Sequence, residues 1–311
     1  MAGPVSTTQP GPWRLLQGLS QGLLQRHLSA LILAPTAAAT LVFVYGFIAW
    51  TAYMSLTGSR MMPLYRLIGF DAYTRLWEME RWHVSIVNLL IFGPLFVGIC
   101  LGVGLGLAIL LDQRIRAEGV LRTIYLYPMA LSFIVTGTVW KWILNPGIGL
   151  ERAVQLMGWS SFKFGWIVDP DLAIYTIVLA GVWQSSGLVL AIFLAALRGV
   201  DQDVVKAATM DGASQWQIYW GIIIPSIRPA FFSAVVVLTH LAVKSFDLVV
   251  AMTNGGPGYA TDLPAIFMYS MSFQRNNIAV GSATAIMMLC TVMAIVVPYL
   301  YSELRPGRVH G

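Results

Sequence analysis

The chain has 311 residues, of which 57% are hydrophobic and only 11% are charged, and its formal net charge is +5. Soluble domains carry about 25% charged residues, so this composition excludes a water-soluble globular protein and indicates one whose solvent is a lipid bilayer. The positive charge is weak support for nucleic-acid binding, because membrane proteins use basic flanks to set their orientation. We therefore expect membrane lipid, and no nucleic acid, among its partners.

The beginning of the chain is predicted to be a cytoplasmic tail over residues 1–27. Leucines there surround Gln17, Gln21 and Gln25, which follow each other at four-residue spacing. This spacing puts the glutamines on one face of a helix. Such a pattern favours a helix that lies on the membrane surface.

Six apolar segments are each long enough to cross about 30 Å of hydrocarbon, which needs ~20 helical residues. They are residues 28–53, 84–111, 123–144, 172–197, 230–252 and 278–300. Because lipid cannot satisfy backbone hydrogen-bonding groups, these spans are predicted to be helices. The predicted fold is an all-α polytopic membrane protein, with a six-helix transmembrane domain over 28–304 and a cytoplasmic tail over 305–311.

The distribution of basic residues indicates which side of the membrane the termini occupy. Alternating the loops between the two sides puts ten Lys and Arg residues with the termini and seven on the other side. Cytoplasmic loops carry the basic excess, so both termini are predicted to be cytoplasmic. The other side has long loops rich in Trp and Tyr, over residues 54–83, 145–171 and 253–277. Two interpretations stay open for them, an interfacial aromatic belt and a docking surface for an external partner.

Glycines in the second span predict a close contact between helices. Gly98, Gly102 and Gly106 repeat at four-residue spacing, and small residues let helix backbones approach each other. The overlapping run "GVGLGL" is not a nucleotide-binding motif, because it follows no strand and lies within an apolar segment.

Motifs for catalysis are missing from the sequence. The chain contains no G-x-x-x-x-G-K-[ST], H-E-x-x-H or G-x-S-x-G motif. Each of these would bring a nucleotide, a metal or a nucleophile to a reaction. We therefore expect no enzymatic activity, no cofactor and no metal.

The stretch "KAATMDGASQWQIYWGIIIP" lies between the fourth and fifth spans and is too polar for a span. Asp201 is suited to begin a helix there, and Gly212 to end it, because Gly accepts a left-handed backbone. Ser214 and Gln217 have the spacing of a capping box for a second short helix. Residues 198–228 are thus predicted to form a stiff elbow of two helices. The second helix carries Trp216, Tyr219 and Trp220, which are predicted to lie along one edge.

This stretch resembles the EAA loop of the permease subunits of binding-protein-dependent ATP-binding cassette importers. The positions that match the pattern are Ala207, Ala208, Asp211, Gly212 and Ala213, and Lys206 stands where the family has a Glu. In that family the loop is a coupling helix seated in a groove of the cytoplasmic ATPase. Pro225 also matches the pattern. The resemblance therefore implies coupling of transport to ATP hydrolysis by Lys206, Ala207, Ala208, Asp211, Gly212 and Ala213, and we call residues 198–228 the coupling segment.

Further stretches resemble the carbohydrate branch of the same family. They are "LVVAMTNGGPGYATDLPAIFMYSMSF", "RTIYLYPMALSFIVTGTVWKWILNPGIG" and "VWQSSGLVLAIFLAALRGVD". The resemblance covers residues 28–305 and is closest to glucose/mannose-type permeases. It implies a monosaccharide import path in the bacterial cytoplasmic (inner) membrane, formed with a second permease subunit. It also implies two cytoplasmic ATP-binding subunits and an extracytoplasmic sugar-binding protein as partners.

Two other interpretations of the function stay open. The same architecture could import a disaccharide, a polyol or glycerol phosphate. A membrane enzyme or a structural scaffold is the alternative from another class. Sugar-stimulated ATP hydrolysis by the assembled complex would separate transport from both.

Polar residues inside two spans are candidates for the substrate pathway, because ionisable groups in a span usually face protein or a wet cavity. His240, Lys244 and Asp247 fall at i, i+4 and i+7, which is one face of a continuous helix. Lys244 and Asp247 could instead neutralise each other and only link neighbouring helices.

The fourth span contributes the second group of pathway candidates. Trp183, Gln184 and Ser185 supply the aromatic face and hydrogen-bonding groups that sugars need. The resemblance to maltose-type permeases implies that this part of the span lines the sugar site. The site could also lie entirely in the partner permease.

Overall fold

The computed structural model describes residues 32–113 and 118–304. The predicted N-terminal tail with its surface helix, residues 28–31 of the predicted first span, and the predicted tail over 305–311 lie outside the described residues. The chain divides into two units, Met1–Tyr53 and Met54–Gly311. In the described residues all regular elements are helices, which confirms the all-α prediction for this part of the chain.

The helices are α1 (Ile32–Ser55), α2 (Asp71–Glu78), α3 (Glu80–Asp112), α4 (Glu118–Leu126), α5 (Phe133–Ile143), α6 (Leu150–Leu156), α7 (Ala173–Arg198), α8 (Gln202–Met210), α9 (Gln215–Ile218), α10 (Arg228–Val243), α11 (Asp247–Met252), α12 (Pro264–Tyr269) and α13 (Ile278–Leu304). A π-helical stretch, Leu41–Tyr45, interrupts α1. Two more, Tyr219–Ile223 and Ser270–Gln274, follow α9 and α12.

Four of these helices are long and apolar enough to cross a membrane unbroken, namely α1, α3, α7 and α13. The predicted third span is two helices, Glu118–Ala130 and Phe133–Ile143, bent by 101°. A second bent pair, Gln215–Ser226 and Arg228–Val243, meets at 62°. By length and composition the described residues therefore hold four spans, or up to six if each bent pair is one span.

The fifth span also differs from its predicted form. A single helix over 230–252 was the expectation, whereas α10 ends at Val243 and α11 begins at Asp247. Lys244, Ser245 and Phe246 form the break. Hydropathy could not predict the break, because its residues sit in an apolar segment without a proline or glycine.

The core of the second unit forms where α3 packs along α7, which is the more buried of the two. The glycine at the contact is Gly104, where an added Cβ would lie 2.6 Å from Cγ1 of Val189. Gly98, Gly102 and Gly106 make no such contact within this chain, because nothing lies within 4 Å of a Cβ at these positions, and their contact with another helix stays a prediction. The packed face of α3 repeats at the same four-residue spacing but in a different phase.

The break in the third span is packed against neighbouring helices. After the 3-10 turn Tyr127–Ala130, the backbone is extended at Leu131 and Ser132. Beyond it, α5 packs closely against α11, and an added Cβ at Gly137 would lie 2.9 Å from the carbonyl oxygen of Leu248. The second half of the broken third span therefore packs on the second half of the broken fifth span.

Candidate functional site

The coupling segment begins with a capped helix. The side chain of Asp201 accepts a hydrogen bond from the backbone N–H of Asp203 at 2.8 Å. This contact satisfies one of the free N–H groups at the start of α8. The predicted helix start at Asp201 is confirmed, and the helix ends at Met210, just before the predicted stop at Gly212.

A tight turn built on glycine ends this helix. Gly212 has φ +83°, a left-handed conformation that residues with a Cβ resist. Its N–H donates to the carbonyl of Thr209 at 3.1 Å, and the N–H of Ala213 donates to the carbonyl of Ala208 at 3.0 Å. These two bonds form a Schellman motif, which satisfies the last carbonyls of the helix. The geometry of this turn therefore explains the small residues of the stretch, Gly212 above all.

The second helix starts at the predicted capping box. The hydroxyl of Ser214 accepts from the N–H of Gln217, and Oε1 of Gln217 accepts from the N–H of Ser214 at 2.8 Å. Both ends of the turn between α8 and α9 are thus fixed by hydrogen bonds within a few residues. The turn at the centre of the elbow is therefore fixed by local hydrogen bonds.

The elbow has a buried side and an exposed apolar side. Ile218 is buried, and Ala208 and Ala213 pack partly against the core. Met210 is 84% exposed and Trp216 is 72% exposed. The elbow therefore presents exposed apolar side chains at its tip.

The predicted aromatic edge is made by two residues and not three. The rings of Trp216 and Trp220 meet edge to face at 5.6 Å, and both are exposed. Tyr219 is half-buried against the core instead.

The positive charge of Lys206 is paired with a negative charge in its own helix. Its ammonium lies 2.9 Å from a carboxylate oxygen of Asp203, and both side chains are highly exposed. Exposed ion pairs contribute about 0–1 kcal/mol, so this contact leaves Lys206 available to a partner. At the other boundary of the segment, Arg198 forms an ion pair with Glu118 at the start of α4.

The polar residues of the fourth span lie on different faces of the continuous helix α7. Trp183 is 41% exposed and meets the ring of Trp140 edge to face at 5.9 Å. Gln184 is 2% exposed, and its Nε2 donates to the carbonyl of Leu131 at 2.6 Å. The structure therefore does not bring these two side chains together, because adjacent helical residues point about 100° apart.

The buried part of this motif supports the break in the third span. Leu131 is an extended residue of that break, so Gln184 satisfies a carbonyl that has no helical partner. Gly187 lets the chain approach, because a Cβ there would lie 2.6 Å from the carbonyl oxygen of Tyr125. Ser185 is buried beside them. Their assignment to the substrate pathway stays a prediction.

The fifth-span candidates do not lie on one continuous helix face. Because α10 ends at Val243, only His240 belongs to it, while Lys244 is its C-terminal cap and Asp247 begins α11. The assumed i, i+4, i+7 geometry is wrong for this reason. All three side chains are exposed, and no ion pair joins Lys244 to Asp247 among the described residues. Their role in the pathway also stays a prediction.

Lys244 and Asp247 share a cavity at the break. It has a volume of about 100 Å³ and is lined also by aromatic rings of three elements, Phe92, Phe96, Phe133 and Phe246. Charged groups in an apolar region normally face protein or a wet cavity. In residues 32–113 and 118–304 no three His, Cys, Asp or Glu side chains come together as a metal site would require.

A buried ion pair outside the predicted site joins two distant parts of the chain. Nε of Arg81 donates to Oδ2 of Asp262 at 2.8 Å and Nη2 donates to Oδ1 at 3.1 Å. The carboxylate of Asp262 is fully buried and also accepts from the hydroxyl of Ser85 at 3.0 Å. Sequence reasoning missed this clamp, because its two residues lie 181 positions apart and neither falls in a predicted span.

The clamp secures the loop that carries the "TNGGPGYATD" stretch. Nδ2 of Asn88 donates to the carbonyls of Tyr259 and Asp262 at 3.0 and 2.9 Å. The hydroxyl of Thr261 donates to the carbonyl of Gly256 at 2.8 Å, and Gly255 has φ +88°. The glycines and threonines of this stretch therefore build a compact loop against α3.

The chain has relatives among known transport proteins. Residues 98–306 match the family model described as binding-protein-dependent transport system inner membrane component. The chain is 40% identical over 273 residues to a probable ABC transporter permease protein of Pyrococcus horikoshii, covering 87% of this chain and 94% of that protein. It is 33% identical over 270 residues to a xylose/arabinose import permease protein of Haloferax volcanii, covering 86% and 84%.

A solved structure shares the fold. It belongs to a bacterial alginate ABC transporter in complex with an alginate pentasaccharide-bound periplasmic protein. The TM-score is 0.80 at 19% sequence identity, over 94% of this chain and 99% of that chain. At this identity the likeness concerns the fold alone.

Proposed function

Since the chain belongs to the family of binding-protein-dependent transport system inner membrane components, we propose that it is a permease subunit of a sugar importer. With a second permease subunit it forms the path through the membrane. Two cytoplasmic ATP-binding subunits hydrolyse ATP, and an extracytoplasmic sugar-binding protein delivers the cargo. The chain itself carries no catalytic role in this scheme.

The observation that carries the proposal is the geometry of the coupling segment. A rigid elbow with an apolar exposed tip can insert into a groove of another protein and transmit its movement, because packed helices move as bodies. In the proposal Lys206, Ala207, Ala208, Asp211, Gly212 and Ala213 form the contact with the ATPase. Met210 and Trp216, at 84% and 72% exposure, supply apolar area for it.

The substrate pathway is proposed to pass the break in the fifth span. His240, Lys244 and Asp247 are exposed in this chain, and an ionisable group facing lipid is costly. Covering by the second permease subunit, with a wet path between the subunits, removes that cost. Trp183, Gln184 and Ser185 of α7 are proposed to belong to the same pathway, and Gln184 also holds the broken third span through its hydrogen bond to Leu131.

The cargo is proposed to be a neutral sugar, with a monosaccharide of the glucose/mannose type as the first candidate. The xylose/arabinose permease relative is named for monosaccharides, which supports a cargo of this size. Lys244 and Asp247 line one small cavity with opposite charges, which gives no preference for an anion. A disaccharide, a polyol or glycerol phosphate would be outcomes of the same test.

Both termini and the coupling segment are proposed to be cytoplasmic, in a bacterial cytoplasmic membrane. Single cysteines test this in a Cys290→Ser background, because Cys290 is exposed and Cys100 is buried. In spheroplasts, Gln215→Cys is expected to resist a membrane-impermeant thiol reagent and Tyr259→Cys to react. The opposite labelling pattern would overturn the topology and the coupling role together.

Uptake by the complete complex tests the function. The chain, its partner permease, the ATPase and the binding protein are reconstituted in proteoliposomes with internal ATP. Glucose, mannose, xylose, trehalose, glycerol and sn-glycerol 3-phosphate are supplied outside in labelled form. ATP-dependent accumulation of a neutral sugar is expected. Accumulation of none of these solutes by an assembled complex would contradict the proposal.

A further inference from the structure

A second cavity follows the break in the fifth span, on the side of α12. Its volume is about 310 Å³, three times that of the cavity at Lys244. The cavity is lined by Phe246, Asn254, Tyr269 and Gln274, and its apolar wall includes Val250 and Ile266. No Lys, Arg, Asp or Glu lines it among the described residues. The cavity is therefore suited to an uncharged ligand.

One wall of the cavity is aromatic. The rings of Phe246 and Tyr269 lie 5.0 Å apart between centroids, at 52°. Tyr269 is 39% exposed and Phe246 is partly buried, and the ring of Phe273 lies 5.2 Å from that of Tyr269. Part of the Tyr269 side chain is therefore accessible to a ligand. Apolar pockets with a few placed polar groups bind small molecules.

The buried clamp fixes the orientation of Gln274 at the rim of this cavity. Nη1 of Arg81 donates to Oγ of Ser270 at 2.9 Å, and a guanidinium can only donate. The hydroxyl of Ser270 therefore directs its own hydrogen to Gln274, 2.9 Å away, and the atom that accepts it is Oε1. The Nε2 amide group of Gln274 is left with two donors. No acceptor for them lies within hydrogen-bond distance among the described residues.

Two further polar groups at the cavity are uncommitted. Asn254 has φ +53°, and its backbone N–H is bound to the carbonyl of Val249 at 2.9 Å. Neither its side-chain amide nor the hydroxyl of Tyr269 takes part in a hydrogen bond with the residues that the structure describes. The cavity thus combines an aromatic wall with two amides and one hydroxyl that have hydrogen-bonding capacity to spare.

We infer that this cavity is a subsite for one neutral sugar ring, with Tyr269 and Phe246 as the stacking wall. Gln274 donates to sugar hydroxyls, and Asn254 both donates and accepts. The inference rests on the proposed import function and deepens it. Because Phe246 also lines the cavity of Lys244 and Asp247, the two cavities form successive stations for the same cargo. Arg81, Asp262 and Ser270 are positioning residues that act through Gln274.

The test compares matched tyrosines in the complete complex. Tyr175 is 40% exposed on α7, so Tyr175→Ala controls for the loss of an equally exposed ring. Tyr269→Ala and Gln274→Met are expected to raise the KM for uptake of the transported neutral sugar about tenfold, as loss of a stacked or hydrogen-bonded contact predicts. The control variant Tyr175→Ala is expected to keep the wild-type KM for uptake and the wild-type rate of basal ATP hydrolysis.

Thiol protection supplies a readout besides uptake. Gln274→Cys in the Cys290→Ser background is modified by a methanethiosulfonate reagent, with and without the transported neutral sugar and its binding protein. Slower modification in the presence of sugar is expected. Wild-type KM in both variants, with no protection, would overturn the subsite while uptake by the wild-type complex left the import function standing. Uptake of sn-glycerol 3-phosphate and of no neutral sugar would overturn the subsite as well.

Discussion

The coupling segment and the broken spans hold irregular backbone by opposite means. In the coupling segment, the turn at Gly212 is fixed by hydrogen bonds between residues at most five positions apart. In the broken third span, the carbonyl of Leu131 has no partner within a helix. It accepts a hydrogen bond from Gln184, 53 residues further along the chain. The first is a local structure on the outside of the protein, and the second depends on the packed helices around it.

This difference separates the two proposed tasks of the subunit. A locally held elbow can be altered without unfolding the helices that it connects. A break inside the helix bundle is coupled to the packing of α5 on α11 and of α7 on the third span. Substitutions in the two regions should therefore have different effects, on coupling in one case and on the stability of the subunit in the other.

The largest effect is expected at the helix contact of the broken third span. Gly187→Leu would push side-chain atoms into the backbone of Tyr125, where even a Cβ would lie 2.6 Å from the carbonyl oxygen. Overpacking typically costs about 1–3 kcal/mol and sometimes more. We expect a lower thermal unfolding temperature in detergent and less assembled complex. Gly98→Leu is the matched control, because its Cβ meets nothing within 4 Å, and equal losses in both variants would contradict the contact.

The same difference explains what the sequence could predict. The elbow is formed by interactions between neighbouring residues, at the caps Asp201 and Ser214 and at the glycine turn. Residue spacing alone therefore predicts it. The breaks at Leu131 and Lys244 lie in apolar segments, and the break at Leu131 is stabilised by Gln184, far away in the chain. Hydropathy therefore predicted continuous spans there, and the helix-face geometry assumed for Asp247 failed with it.

A smaller effect on stability, but a complete effect on uptake, is expected for Gly212→Val. The left-handed conformation at φ +83° costs a residue with a Cβ about 1–2 kcal/mol. The subunit should insert and assemble, while ATP-dependent uptake falls to background. Gly212→Asn is the control, since Asn tolerates this conformation, and it should retain most of the uptake. Normal uptake by Gly212→Val would remove the case for a rigid elbow.

The smallest effect on stability is expected for the exposed polar residues of the fifth span. His240→Ala and Lys244→Ala remove side chains that are exposed in this chain, and such substitutions usually change stability by less than about 0.5 kcal/mol. Both variants should change the rate or selectivity of uptake across the sugar panel while basal ATP hydrolysis persists. Gln184→Ala should differ from them, because it also lowers the unfolding temperature. Wild-type uptake in both surface variants would place the site in the partner permease.

Stimulation of ATP hydrolysis by the sugar-loaded binding protein tests the central claim most directly. It is measured in proteoliposomes that hold the complete complex, with wild type and Gly212→Val side by side. The wild-type complex is predicted to hydrolyse ATP faster when the loaded binding protein is added, and the Gly212→Val complex to stay at its basal rate. A wild-type complex without stimulation, or a Gly212→Val complex stimulated as strongly as wild type, would contradict the account.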